Sequence, residues 1–191
     1  MVLTTLSDGS YPVIRNRTTH DEGQSMDTTV DGVVIERVSI SHPDAQALIE
    51  AVQAEYVARY GGQDESPVDP ADFEDPLGQF FVAYIDGAPV ATGAWRRSSV
   101  KALGAETTAE IKRMYVVPAA QRRGLARRML AHLEATAAAE GIDALVLETG
   151  MKQPEAIALY TSSGYEPIPG FGYYCGSDLS RCFGRRILPA R

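Results

Sequence analysis

The chain has 191 residues, 45% hydrophobic and 23% charged, an ordinary globular composition long enough for one well-buried core. Its start, "MVLTTLSDGSYPV", lacks the basic and then apolar pattern of a leader, and no run approaches the roughly 18 apolar residues of a membrane span. A cytoplasmic protein without a membrane partner is expected. The net charge of −7 argues against general nucleic-acid binding. Cys175 and Cys182 are the only cysteines, and no His/Cys spacing suggests zinc, so free thiols and no metal are expected.

Residues 1–31 are polar and without sustained period, which reads as a flexible extension, with Met26 as an alternative start. Residues 32–191 read as one domain. "VVIERVSI" is a first strand. A helix follows over "HPDAQALIEAVQAEYVARY", begun by Ser41 with Pro43 just inside and closed by Gly61-Gly62; it carries Ala47, Leu48, Ala51, Val52, Glu55 and Tyr56 on neighbouring faces. "QDESPVDPADFED" has six acids, no base and two prolines, and reads as a loop with at best one helical turn. Next comes a hairpin, "QFFVAYI" and "APVATGAWRR" around Asp86-Gly87, with a further partner in "AEIKRMYVV". A long helix carries Leu125, Met129, Leu130, Leu133 and Ala137 at helical spacing and stops at Gly141. "ALVLE" is a strand buried on both faces, "PEAIALYTSS" a helix ended by Gly164, and the tail offers one or two strands.

One segment departs from the acidic background. Ile111 to Leu130 holds six basic residues and no acid, leaving 12 of the 18 basic residues against all 25 acidic ones elsewhere. Concentrated charge of this kind points to a specific anion site. Within it, "QRRGLARR" joins a strand to a helix. The first amides of a helix have no intrahelical partner and carry partial positive charge, so a glycine-containing entry can cradle phosphate. Gly124 lets the backbone approach an anion closely, and Ala126 is the next smallest choice. A Walker loop or a three-glycine dinucleotide fingerprint is absent.

The pattern "QRRGLA" after "MYVVP", with "LVLETG" and "QPEAIALYTSSGYEPI" downstream, resembles the acyl-CoA pyrophosphate loop and following elements of the GNAT N-acetyltransferase superfamily. The resemblance spans about residues 33–188 and is strongest over 109–168. It implies an α/β fold whose central mixed, mostly antiparallel sheet splays between strands 4 and 5 and is flanked by helices. It implies acetyl-CoA as acyl donor, with the backbone of Met114, Tyr115 and Val116 holding pantetheine. Gln121, Arg122, Arg123, Gly124, Leu125, Ala126 and Arg127 would hold the pyrophosphate. Gln153 stands where many members carry asparagine, keeping a carboxamide on a longer arm.

Acyl transfer to an amine requires the ammonium to lose protons and the leaving thiolate to gain one. By resemblance, Glu110, eleven residues before Gln121, is the general base, directly or through water, and Tyr160 protonates the thiolate. Each has a plainer reading: Glu110 as a strand acid paired with Lys112 or Arg113, and Tyr160 as packing beside Ala156 and Ile157. Glu55, Arg59 and Tyr60 fall where such enzymes line the acceptor pocket, although Glu55 and Arg59 also suit an i, i+4 pair. Trp95 is expected in the core and His132 on a polar helix face. The acceptor is expected to be a primary amine of a small molecule or peptide, with the acidic run Asp64–Asp75 as a mild pointer to a cation. The resemblance leaves a homodimer open. The competing function is a non-catalytic acyl-CoA sensor or interaction module.

Overall fold

The computed structural model describes residues 32–189; the expectations for residues 1–31 lie outside them. The elements are β1 (Val33–Val38), α1 (Pro43–Tyr60), a 3-10 turn (Pro70–Phe73), β2 (Gly78–Ile85), β3 (Ala88–Ser98), β4 (Thr108–Val116), a second 3-10 turn (Pro118–Ala120), α2 (Leu125–Ala139), β5 (Ala144–Gly150), α3 (Pro154–Ser162), β6 (Glu166–Pro167) and β7 (Ser180–Arg186). One seven-stranded sheet runs in the order β1-β2-β3-β4-β5-β7-β6. Among the described residues only the β4–β5 pair is parallel, so the sheet is mixed and mostly antiparallel, flanked by helices, as the sequence led us to expect.

Both faces of the sheet are covered, which strand alternation records. Phe81 and Ala83 of β2 join the larger core with Met129, Leu130 and Leu133 of α2. Phe80 and Val82, one step out of phase, join Ala45 and Leu48 of α1 and Phe73 on the opposite face. Trp95 is 1% exposed and donates its indole N–H to Thr136 Oγ1 at 3.0 Å, which satisfies the one polar group of a core side chain.

Three local expectations are corrected. The cap of α1 is His42, whose Nδ1 accepts the Asp44 N–H at 3.2 Å, while the Ser41 hydroxyl pairs with Ser39. The buried face of α1 uses Ala45, Leu48 and Val52, and Ala47 is exposed. His132 is half-buried rather than on a polar face: its ring meets Phe81 edge-on at 4.5 Å, and burial lowers its basicity. The helix stop at Gly61 is as expected, with φ 83° and its N–H on Val57 O at 2.9 Å.

Candidate active site

The sheet forks. β4 and β5 pair only from Thr108 with Ala144 to Ile111 with Leu147. Beyond that point β4 continues against β3 alone and β5 against β7 alone. The facing backbone edges of residues 112–116 and 148–150 therefore lack a strand partner in the fork, which suits an extended ligand that inserts like a strand.

A bulge sharpens the fork. Thr92 lies opposite Tyr115 and Ala94 opposite Lys112, so Gly93 alone faces both Arg113 and Met114. Arg113 takes φ 56° as the extra residue. The insertion resets alternation: Ala109 and Ile111 face the α2 side before it, and Met114 and Val116 face that side after it. A Cβ on Gly93 would meet Met129 Cγ at 2.8 Å and Met114 Sδ at 2.9 Å, so the close approach requires glycine.

A cavity of about 510 Å³ opens at the fork, walled by α1, β4, β5, the start of α3 and the loops at 61–66 and 174–180. Lys112 and Glu148 are the first residues beyond the last β4–β5 pair, and both line it. Glu110 does not line the cavity. It is 6% exposed, and both carboxylate oxygens are taken: Oε2 accepts from Arg96 Nη2 at 2.9 Å and Nε at 3.1 Å, and Oε1 meets Lys112 Nζ at 2.8 Å. Arg96 Nη1 also donates to Asp72 Oδ2 at 2.7 Å. Ion pairs thus run from Asp72 through Arg96 and Glu110 to Lys112, whose charge acts in turn on Glu148 on the wall.

Glu148 escaped sequence reading because it ends an otherwise apolar strand. Its Oε1 accepts from Ser180 Oγ at 2.5 Å, and its Oε2 has no hydrogen-bond partner among the described residues. Burial raises its pKa above the ordinary carboxylate range. The Ser180 bond and Lys112 charge oppose that rise, and Glu110 and Asp64 add to it. A half-buried carboxylate with one unbound oxygen is suited to accept a proton.

Tyr160 also lines the cavity, 5% exposed, its ring edge-on to Tyr165 at 5.7 Å. Its hydroxyl makes no hydrogen bond among the described residues, and burial pushes its titration upward, so it stays protonated and can donate. Gln153, just before α3, turns its Oε1 back to Thr149 Oγ1 at 3.3 Å and to the Gly150 N–H at 3.4 Å. Its amide donors remain for a ligand. Met114 lines the cavity, whereas Tyr115 and Val116 lie farther along the open edge of β4.

That edge leads to the basic loop. Gln121 Nε2 donates to Val116 O at 3.1 Å, Arg122 and Gly124 take φ 60° and 80°, and α2 begins at Leu125, which is buried. The first intrahelical bond runs from Arg128 N to Gly124 O at 3.1 Å, so the amides of Leu125, Ala126 and Arg127 precede it. The Arg127 guanidinium donates to Ser162 Oγ at 2.9 Å, and Arg122 and Arg123 are exposed. The open strand edge thereby leads in sequence to a helix start whose free amides suit an anion.

Other sequence candidates separate. Arg59 pairs with Glu55 at 2.6 Å, pairs with Glu155, and donates to Lys152 O at 2.7 Å, tying α1 to the loop after β5. Tyr60 lines the cavity. Half of the acidic run is paired: Asp64 pairs with Arg113, Asp72 with Arg96 and Asp75 with Arg37. Cys175 and Cys182 are free thiols. Among the described residues no group of three His, Cys, Asp or Glu could hold a metal, and no helix is long and apolar enough to cross a membrane.

Known proteins resemble this chain in sequence and fold. Residues 45–165 match the sequence profile of the Acetyltransferase (GNAT) family. An "IAA acetyltransferase" of Azospirillum brasilense is 33% identical over 148 residues, covering 78% of this chain and 94% of its own. A solved Klebsiella pneumoniae structure ascribed to the acyl-CoA N-acyltransferases is similar at TM-score 0.66 and 29% identity, covering 82% of this chain and 98% of that one. A GNAT acetyltransferase from Staphylococcus aureus, 16% identical with TM-score 0.63, covers 82% of this chain and 99% of its own and shares the fold.

Proposed function

Because the chain belongs to the acetyltransferase (GNAT) family, we propose that it transfers the acetyl group of acetyl-CoA to a primary amine of a small molecule or peptide, by direct attack in a ternary complex. One observation carries the amine: the Glu148 carboxylate lies at the cavity wall with one oxygen unbound among the described residues, and its complement is a cation. An ammonium group supplies it.

The donor's pantetheine arm lies along the open edge of β4 at Met114, Tyr115 and Val116. Its pyrophosphate meets the amides from Arg122 to Arg127, the Gln121 N–H being taken by Pro118 O at 3.3 Å, with Gln153 donating from the other side of the fork. Glu148 takes one proton from the acceptor ammonium. The freed nitrogen lone pair forms the bond to the acetyl carbon, polarised by β4 backbone N–H groups. The carbon–sulfur bond then breaks, and Tyr160 supplies a proton to the departing sulfur, recovering it from the same nitrogen. Glu148 returns its proton to solvent, so one proton is released per turnover. Glu110, the base that family resemblance implies, acts from behind Lys112 and reaches the amine only through water.

The test is release of CoA thiol with a panel of primary amines. Amine-dependent release is expected. Acetyl-CoA binding without turnover of any amine would favour a non-catalytic acyl-CoA sensor instead.

A further inference from the structure

Asp64 stands outside the proton transfers above, yet both of its carboxylate oxygens are engaged at the cavity wall. Its Oδ2 accepts from Arg113 Nη1 at 2.6 Å, and the two side chains are 17% and 7% exposed. Its Oδ1 accepts the Ser66 N–H at 2.9 Å. Its backbone is held from α1, where Gln53 Oε1 accepts the Asp64 N–H at 2.9 Å and Gln53 Nε2 donates to Asp64 O at 3.4 Å. The next residue, Glu65, gives its N–H to the Tyr174 hydroxyl at 2.8 Å, bridging to a loop 109 residues away. Asp64, Glu65 and Tyr174 all line the cavity.

Arg113 is also the extra residue of the β4 bulge. One carboxylate therefore joins the strand that opens the donor slot to the 61–66 loop that lines the same cavity.

We propose that Asp64 is a positioning residue for the acceptor: by holding Arg113 it seats the loop at 61–66, and the seated loop carries the Glu65 amide to Tyr174. The wall facing the incoming amine is then set by the bulge geometry of the donor strand. This rests on the amine-transfer reading. It assigns Asp64 no proton transfer. Burial alone would raise the Asp64 carboxyl, but Ser66 and Arg113 outweigh it and hold it below the ordinary range, in keeping with a permanently charged anchor.

The test compares steady-state constants of wild type, Asp64→Ala, Asp64→Asn, Tyr174→Phe and the double variant Asp64→Ala/Tyr174→Phe, using the primary amine that wild type turns over fastest. Asp64→Ala should raise the amine KM about tenfold, with kcat and the acetyl-CoA KM within about twofold of wild type. Tyr174→Phe should raise the amine KM about threefold, because it removes the hydroxyl that meets the Glu65 N–H and also bonds the Asp64 carboxylate. The double variant should be no worse than Asp64→Ala, since the Tyr174 bond depends on the seated loop. Asp64→Asn, which keeps the Ser66 bond, should fall between; it and Tyr174→Phe decide the matter if Asp64→Ala does not fold. Equal rises in both KM values, additive effects, or an unchanged amine KM in Tyr174→Phe and Asp64→Asn would overturn the proposal. Wild type that turns over no amine would instead sink the transfer reading, and this proposal with it.

Discussion

Lys112 and Glu148 both line the cavity at the mouth of the fork, each one step past the last residues that β4 and β5 share. Lys112 is held from behind by Glu110, whereas Glu148 keeps one oxygen unbound. Substitution Glu148→Gln should lower kcat by roughly 100-fold or more, the scale of a lost proton acceptor, and abolish the fall in kcat on the acid side. Glu110→Gln should keep that acid limb. Rate against pH for the three proteins checks the division of labour.

The same carboxylate makes a stability prediction of known sign. Because its folded pKa is raised, ionising Glu148 costs the folded state. That cost is absent below the ordinary carboxylate range, about pH 4, and grows as pH rises from there through the raised folded value. Glu148→Gln should therefore gain thermal stability relative to wild type between acid and neutral pH. Melting temperatures across that window measure it, and the gain should be small because the group is half-exposed.

Tyr160→Phe removes a hydroxyl that has no hydrogen bond among the described residues, so the fold should keep its stability within about 0.5 kcal/mol. The kcat should nonetheless fall about tenfold or more through loss of the proton for the thiolate. Melting temperature and kcat measured on one preparation separate packing from chemistry.

Gly124→Ala isolates the phosphate site. A Cβ there meets nothing within 4 Å, so the cost to stability comes from φ 80° alone, about 1–2 kcal/mol. The added methyl narrows the approach of pyrophosphate to the helix start. The acetyl-CoA KM should rise, whereas the KM for acetyl-pantetheine, which lacks phosphates, should not change.

Tyr60 rests on Gly150, where a Cβ would fall 2.0 Å from the tyrosine hydroxyl. Its neighbour Lys152 donates its N–H to that hydroxyl at 3.2 Å. Gly150→Ala should displace Tyr60 from the cavity wall and raise the amine KM, at a stability cost of about 1–3 kcal/mol for overpacking. Adding Tyr60→Ala should relieve the clash, so the stability effects of the two changes will not add.

Local signals explain why so much of the fold was readable. Asp86-Gly87 marked the hairpin, Gly61 and Gly164 ended helices, and the spacing of Leu125, Met129 and Leu133 announced the buried face of α2. The phosphate loop was legible for the same reason, since its function depends on consecutive residues. What stayed hidden depends on chain segments far apart. Asp64 and Arg113 are separated by 49 residues and meet only in the folded chain. The bulge itself had left a trace, the change of apolar phase from Ala109 and Ile111 to Met114 and Val116. Glu148 read as the end of an apolar strand because nothing in "ALVLE" tells that the pairing of β4 with β5 ends at Leu147. His42 displaced Ser41 as the helix cap because its imidazole nitrogen reaches Asp44 while Ser41 is engaged by Ser39.

The most direct test of the account follows the acetyl group itself. The protein is incubated with acetyl-CoA deuterated in the acetyl methyl and with each amine of the panel, and the products are weighed by mass spectrometry. The account predicts the labelled acetyl on the nitrogen of at least one primary amine, in amounts equal to the CoA thiol released and with none on the protein. Label that remains on CoA with every amine, or that accumulates on the protein, would contradict it.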